Sequence, residues 1–150
     1  DIMEALRRYH SLLIGERTAE QIKIQVGAAM KDIDNPPDDF PVNGRDLVTG
    51  IPKQIMVSYQ EIAEALDKSI FKIEEAILKA LEQTPPELAA DIYRRGLYIT
   101  GGGALLRGLD KRIGNKIKLP VHIADDPLKS VVRGTGIALK NYSRYPFVMR

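Results

Sequence analysis

The stretch that decides the fold covers residues 96–106 and reads Gly-Leu-Tyr-Ile-Thr-Gly-Gly-Gly-Ala-Leu-Leu. Its apolar run at 97–99 has residue types that favour a pleated, half-buried strand. Three glycines follow, and because glycine has no Cβ atom a ligand can come close to their backbone. From Leu105 to Ile113, apolar residues recur at helical spacing. The stretch predicts a strand, a glycine turn and an amphipathic helix whose first N–H groups suit an anion or a polar ligand.

The glycines alone leave two interpretations open. A tight turn that packs a helix on a sheet has the same pattern as a ligand site. The pattern is not a Walker A phosphate loop, because no Lys followed by Ser or Thr comes after the glycines. It also departs from the dinucleotide-binding fingerprint, which needs a third glycine where Leu106 stands.

Composition excludes several classes of protein. The 150 residues are 44% hydrophobic and 28% charged, as in an ordinary globular domain. A net charge of +2, with scattered Lys and Arg and few aromatic residues, argues against a nucleic-acid partner. The absence of cysteine excludes disulfides and thiolate metal sites. No apolar run approaches the roughly 18–20 residues that cross a bilayer.

The first third of the chain contains two predicted helices and an acidic loop. Apolar residues at helical spacing predict a first helix from Ile2 that ends near Gly15, and Thr18 is predicted to cap a second. The second helix carries Glu20 and Lys23, which are expected to be surface neighbours and, in the simplest interpretation, an exposed ion pair. The acidic loop that follows lacks the Gly and Glu positions of a calcium-binding EF hand, so it is predicted to be a solvated turn.

Strand and helix signals continue from there to the glycines. Branched runs at 42–47 and 51–57 predict a small hairpin. Ser58 is predicted to cap the longest helix, which extends to Leu81 with a break near Asp67 left open. The next helix is predicted to start with Thr84 as its cap and Pro85 as its first residue.

After the glycines, residues 121–124 predict a second strand, and Asp126 is predicted to cap a last helix. That helix contains Gly134 and Gly136, which suggest close packing on another backbone. A crossover helix joins strands 97–100 and 121–124, so they should be parallel neighbours. Two strands do not form such a sheet alone, so part of it should lie outside this chain. Residues 143–150 are expected to be a tail.

Four co-ordered motifs resemble the MreB family of bacterial actin-like cell-shape proteins, within the superfamily that also holds heat-shock chaperones and sugar kinases. The resemblance runs nearly from end to end, in the same order, which makes it far more specific than a glycine run. The motifs are the stretch from Leu97 to Leu109, the stretch from Leu13 to Lys23, the stretch from Leu81 to Ala89, and Asp125-Asp126-Pro127-Leu128 with Arg133-Gly134-Thr135-Gly136.

The resemblance implies an α/β architecture that is part of the actin-like, ribonuclease H-like ATPase fold. It implies a partial sheet with flanking helices and a small α+β outer subdomain. Residues 1–68 would be that outer subdomain, and residues 69–150 would be the remainder of the inner subdomain with its adenosine motif. The chain would be the C-terminal portion of a longer protein.

The resemblance also implies ATP as the cofactor, bound between two lobes. One side of the adenosine would meet the second helix and the other side would meet the glycine turn. Magnesium and the phosphates would be held mainly by residues outside this chain. The implied contacts are Glu20, Lys23, Gly101, Gly102, Gly103 and Ala104.

The implied function is that of a filament-forming cytoskeletal protein that directs cell shape by organising cell-wall synthesis. Partners would be further copies of the protein, head to tail, and the cell-wall elongation machinery with its membrane proteins. The location would be cytoplasmic at the inner face of the membrane, which other parts of the protein would contact. The alternative is a fragment of a sugar kinase or heat-shock-type chaperone ATPase. Full-length members of the resembled family are slow ATPases, and this chain alone is expected to be inactive, with no catalytic or metal-binding residue assigned.

Overall fold

The computed structural model describes residues 1–145, so the last five residues of the predicted tail lie outside the described residues. Those 145 residues form six α-helices, five β-strands and one 3-10 turn. The elements in order are α1 (Ile2–His10), β1 (Leu12–Leu13), α2 (Glu16–Val26), β2 (Phe40–Asp46), β3 (Pro52–Val57), α3 (Tyr59–Glu82), α4 (Pro86–Arg95), β4 (Leu97–Ile99), a 3-10 turn (Gly102–Leu105), α5 (Leu109–Ile117), β5 (Val121–Ile123) and α6 (Ser130–Lys140).

A three-stranded antiparallel sheet forms in the first half of the chain, in the order β1-β2-β3. The predicted hairpin is confirmed, with Phe40 opposite Val57 in its register. Its turn is closed by Asp46, whose carboxylate accepts hydrogen bonds from the N–H groups of Val48 and Thr49 at 2.7 and 3.0 Å. These two bonds and the Lys53 ammonium lower the pKa of Asp46 to about 2.

The ends of α1 and α2 differ from the prediction. The first helix stops at His10 because Ser11 takes a left-handed conformation, with φ of 51°. The chain then becomes β1, where fully buried Leu12 pairs opposite Asp46. A two-residue strand is too short to show an alternating pattern, so its leucines resembled more helix. The cap of α2 is Gly15 rather than Thr18, which lies inside the first turn.

One uninterrupted helix, α3, spans 24 residues, or about 36 Å at 1.5 Å per residue. Its predicted cap is confirmed, because the Oγ of Ser58 accepts from the N–H of Glu61 at 3.3 Å. No break occurs at Asp67. Thr84 does not cap α4, since its hydroxyl donates back to the carbonyl of Ala80 at 2.8 Å, and α4 begins one residue later than predicted. None of the helices in residues 1–145 has the length and apolarity that crossing a membrane requires.

Two hydrophobic clusters share α3. Ile62 of α3 belongs to the first cluster and Ile70 to the second, while Leu66 packs against both. The predicted division at residue 68 stays a prediction. The first cluster consists of Ile2, Leu6, Leu12, Ile14, Ile22, Val26, Val42, Val57 and Ile62, and the second of Ala29, Ile70, Leu109 and Ile113.

The second sheet pairs β4 with β5 in parallel, with Leu97 opposite Val121, which confirms the prediction. The expected helix after the glycines is delayed. A 3-10 turn comes first, and α5 begins only after Gly108, whose φ of 75° redirects the chain. The last helix starts at Ser130 rather than next to Asp126, because Asp126 has a left-handed φ of 48° in the preceding turn.

The two glycines of α6 do not behave as predicted within the described residues. A Cβ atom added at Gly134 or Gly136 would meet nothing within 4 Å. The expected close contact with another backbone is therefore not made by residues 1–145.

A buried charge network ties the second cluster together. Glu74 of α3 is only 4% exposed, and the guanidinium of Arg112 on α5 donates to it at 2.7 Å. Arg112 also pairs with Asp67 at 2.8 Å and donates to the carbonyl of Ala29 at 2.9 Å. Burial alone would lower the pKa of Arg112, but the hydrogen bonds to Glu74 and Asp67 outweigh it and raise that pKa. Arg112 thus joins α3, α5 and the segment after α2.

We predict that Arg112→Met lowers the free energy of unfolding by about 3–5 kcal/mol, because it leaves the buried Glu74 carboxylate without a cation. The double variant with Glu74→Leu should recover much of the loss, since it removes the uncompensated charge. Urea unfolding followed by circular dichroism measures both.

Lys111→Met is the matched control, because Lys111 pairs with Asp34 at the surface. Its cost should be far smaller than that of Arg112→Met, because water screens an exposed ion pair. Equal losses for the Lys111 and Arg112 variants would contradict the assignment of Arg112 as the cation that holds this core together.

Candidate functional site

The end of α2 meets the segment that directly follows the glycine turn, although 80 residues separate Gly27 from Arg107 in the sequence. Ala28 forms a parallel β-bridge with Arg107, and the N–H of Ala29 donates to the carbonyl of Arg107 at 2.8 Å. Arg107 lies just beyond the 3-10 turn that begins at Gly102. The chain just beyond each of the two predicted ligand-binding segments therefore lies side by side, while joint contact of those segments with a ligand stays a prediction.

Gly27 allows this close approach. A Cβ atom there would lie 2.9 Å from the Cδ1 of Leu106 and 2.1 Å from the carbonyl oxygen of Lys23. Neither distance is tolerable, so only glycine fits between the end of α2 and the segment that follows the glycine turn. No residue near Gly27 in the sequence signals this requirement, since the partner at Leu106 lies far along the chain.

The Arg107 side chain reinforces the same join. Its guanidinium donates to the carbonyls of Ile24 and Gly27, each at 3.4 Å. The last carbonyls of a helix lack partners within the helix and carry a partial negative charge, so a cation is favourable there. Arg107 is part of the motif that carries the resemblance, but nothing in the sequence showed where its side chain would go.

Glu20 and Lys23 are both exposed on α2, as predicted. The expected ion pair between them is not formed, and neither carboxylate nor ammonium has a partner within the described residues. Both line an open cleft of about 300 Å³ that also touches Ile2, Ala19 and Leu66. Their polar atoms are therefore free to bond a ligand.

In the glycine turn, residues 101–105, the backbone conformation requires glycine at one position, whereas packing against neighbouring side chains does not require it at the next two. Gly101 has a φ of 85°, a backbone angle that residues other than glycine rarely adopt. At Gly102 a Cβ would meet only the Cδ2 of Leu128, at an ordinary 3.4 Å, and at Gly103 it would meet nothing within 4 Å. Packing among the described residues therefore does not require glycine at 102 or 103, which favours the ligand interpretation over that of a tight packing turn.

Ala104 differs from the three glycines. It is 1% exposed, so its methyl group lies in the interior. Its N–H donates to the carbonyl of Gly101 at 3.2 Å, which closes the 3-10 turn. Ala104 can therefore shape the turn, but its side chain cannot reach a ligand.

The loop between β5 and α6 holds the glycine turn in place. The carbonyl of Pro127 accepts three hydrogen bonds, from the N–H of Gly101 at 2.8 Å and from the hydroxyls of Thr100 and Ser130 at 2.9 and 3.1 Å. Three donors on one oxygen fix the turn against this loop. The junction between β4 and the glycine turn is thus tied to the loop that precedes α6.

Across residues 1–145, no three His, Cys, Asp or Glu side chains gather closely enough to hold an ion. In the acidic loop after α2, the carboxylate of Asp34 forms an ion pair with Lys111.

Known proteins resemble the chain over nearly its whole length. It is 45% identical to the cell shape-determining protein Mbl of Bacillus subtilis, over 97% of the chain and 43% of that protein. It is also 45% identical to the cell shape-determining protein MreB of Escherichia coli, over 93% of the chain and 40% of that protein. The chain therefore spans less than half the length of these relatives.

Solved structures agree with the sequence comparison. MreB5 of Spiroplasma citri, crystallised with ADP, superposes with a TM-score of 0.88 at 38% identity, over 96% of this chain and 43% of that one. A MamK mutant bound to AMPPNP shares the fold at a TM-score of 0.64 and 21% identity, over 85% of this chain and 38% of that one. The predicted actin-like fold is confirmed.

The family assignment rests on the sequence as well as the fold. The family described as MreB/Mbl protein matches residues 1–146. Together with the relatives named above, this supports the cell-shape family rather than sugar kinases or heat-shock chaperones. The chain belongs to the MreB/Mbl family of actin-like proteins.

Proposed function

We propose that this chain is the C-terminal portion of an ATP-binding, filament-forming cytoskeletal protein that directs cell shape by organising cell-wall synthesis. Its relatives in Bacillus subtilis and Escherichia coli are named cell shape-determining proteins. MreB5 of Spiroplasma citri has been crystallised with ADP and with AMPPNP. In this proposal residues 1–68 form the small outer subdomain and residues 69–150 the rest of the inner one.

The observation that carries the proposal is the join between the segment that follows α2 and the segment that follows the glycine turn. The N–H of Ala29 donates to the carbonyl of Arg107 at 2.8 Å, which supports a site with α2 on one side and the open glycines on the other. A nucleoside between them would meet the polar atoms of Glu20 and Lys23 from one side. It would meet the bare backbone of the glycine turn from the other side, with Gly101, Gly102 and Gly103 in contact and Ala104 shaping the turn.

Phosphate and magnesium chemistry would come from elsewhere in the protein. In this proposal the chain holds the nucleoside end of ATP, and residues outside it hold most of the magnesium and triphosphate. Nucleotide state would then switch the orientation of two lobes. Head-to-tail contacts between copies, contacts with the cell-wall elongation machinery and a location at the inner face of the membrane complete the proposed role.

Gly102→Val in the full-length protein should weaken ATP binding by about tenfold or more, which is about 1.4 kcal/mol or more. The branched side chain would fill the space proposed for the purine, while a Cβ atom at this position lies at an ordinary 3.4 Å from its nearest protein neighbour, the Cδ2 of Leu128. Titration of ATP by calorimetry measures the loss. Gly134→Val is the matched control, because Gly134 also faces open space but lies in α6. An unchanged ATP affinity in a folded Gly102 variant would show that the glycines serve the backbone only.

Lys23→Ala should lower ATP affinity several-fold while the melting of the nucleotide-free protein hardly changes. Lys23 is exposed and has no partner among the described residues, so its loss should cost under about 0.5 kcal/mol of stability. Arg17→Ala removes an exposed cation from the same helix and should leave the affinity unchanged. Equal affinities for the wild type and both variants would leave Lys23 a solvated surface residue.

Residues 1–150 alone should show no measurable ATP hydrolysis in a phosphate-release assay. Phosphoryl transfer depends on positioning, magnesium and charge stabilisation around the γ-phosphate, and in this proposal the chain holds only the nucleoside end. We also expect weak nucleotide binding and self-association through the unpaired edges of the β4–β5 sheet. Steady hydrolysis that persists through purification, and that Gly102→Val abolishes, would contradict this assignment.

A further inference from the structure

We propose that Arg107 is a positioning residue for the nucleotide site, which sets the spacing between α2 and the glycine turn through its side chain. This inference rests on the proposed nucleotide binding and adds a residue to it. Arg107 touches neither Glu20 nor Lys23, and it lies beyond the glycine turn, so it is not offered as a ligand contact itself.

The partners of the guanidinium carry the argument. Within the described residues Arg107 has no carboxylate partner, and its side chain donates only to the carbonyls of Ile24 and Gly27. Those carbonyls belong to the C-terminal end of α2, the helix whose last turn holds Lys23. An arginine without an acidic partner, placed at a helix C-terminus, satisfies unpaired carbonyls and complements the helix dipole.

The main chain and the side chain of Arg107 make different hydrogen bonds, so a substitution can remove one set and keep the other. Its carbonyl accepts the 2.8 Å hydrogen bond from the N–H of Ala29, and this bond survives any change of side chain. The guanidinium reaches past it to the end of α2, where Gly27 already packs tightly against Leu106. Removing the side chain therefore leaves the bridge and the core in place but frees the end of α2 to shift relative to the glycine turn.

Such a shift would act on the nucleoside end of the ligand and not on the phosphates. Lys23 is one turn before Gly27, so a displaced helix end carries it away from the glycine turn. Adenosine and ATP should therefore lose affinity by the same factor. Equal losses of adenosine affinity and ATP affinity indicate that the position of α2 has changed. Loss of attraction between a cation and the triphosphate would instead lower the affinity for ATP alone.

The experiment compares Arg107→Ala and Arg107→Lys in the full-length protein, with adenosine and ATP as probes in calorimetric titrations. We expect Arg107→Ala to weaken both ligands by about 5-fold, the scale of one or two modest hydrogen bonds. Arg107→Lys should be intermediate, because it keeps the charge at the helix end but not the forked geometry. Circular dichroism melting of the nucleotide-free variants reports on the fold.

Arg94→Ala is the matched control. The Arg94 guanidinium also donates to a helix carbonyl, that of Ala90 at 3.3 Å, but within its own helix α4. Its removal should leave both affinities at the wild-type value. This control accounts for the generic effect of losing an arginine bonded to a helix carbonyl.

Four outcomes would overturn the inference. Wild-type affinity in Arg107→Ala, while Lys23→Ala and Gly102→Val weaken binding, would remove Arg107 from the site and leave the proposed function intact. Loss of ATP affinity without loss of adenosine affinity would make Arg107 a phosphate-directed cation. Loss that merely follows the unfolded fraction measured by circular dichroism would make it a structural residue. Unchanged binding in all three variants would instead contradict the proposed function, and the positioning role with it.

Discussion

The ion pair between Glu74 and Arg112 is the interaction on which the second hydrophobic cluster and the elements around it depend. A carboxylate that is 4% exposed is tolerable only with a cation at hydrogen-bonding distance, and Arg112 supplies one at 2.7 Å. The same guanidinium reaches Asp67 and the carbonyl of Ala29, so one side chain fixes α5 against both α3 and the segment after α2. Because α5 begins at Leu109, shortly after the glycine turn, this network anchors the chain just beyond that turn.

Much of the secondary structure followed from local pattern. The hairpin, the long helix with its Ser58 cap and the parallel pairing of β4 with β5 all have signals within a few residues or in the handedness of a crossover. Element ends were less predictable, since they are set by contacts with distant residues. Leu12 and Leu13 continue a helical pattern, yet they pair with β2, and no property of the two leucines alone distinguishes these outcomes.

The candidate site was predictable only in part, for a similar reason. The glycines and the two polar residues of α2 were found from the motif and from the family resemblance. Two features of these residues could not be predicted from the sequence. The ion pair expected between Glu20 and Lys23 is absent from the described residues, and the Ala104 methyl group is buried. Gly27 and Arg107 act across about 80 residues of sequence, and a single sequence contains no signal for contacts of that range.

The continuity of α3 has a mechanical consequence. Because α3 has no break and carries Ile62 in one core and Ile70 in the other, it connects the two cores as a single stiff element. Rotation by about 5° around one end moves the other end by roughly 3 Å over its length of about 36 Å. Bending within the helix would require breaking its hydrogen bonds, so reorientation of the two cores has to be taken up by the loops that flank it. A rotation of the hairpin is therefore transmitted along α3 toward Glu74 and its partner Arg112.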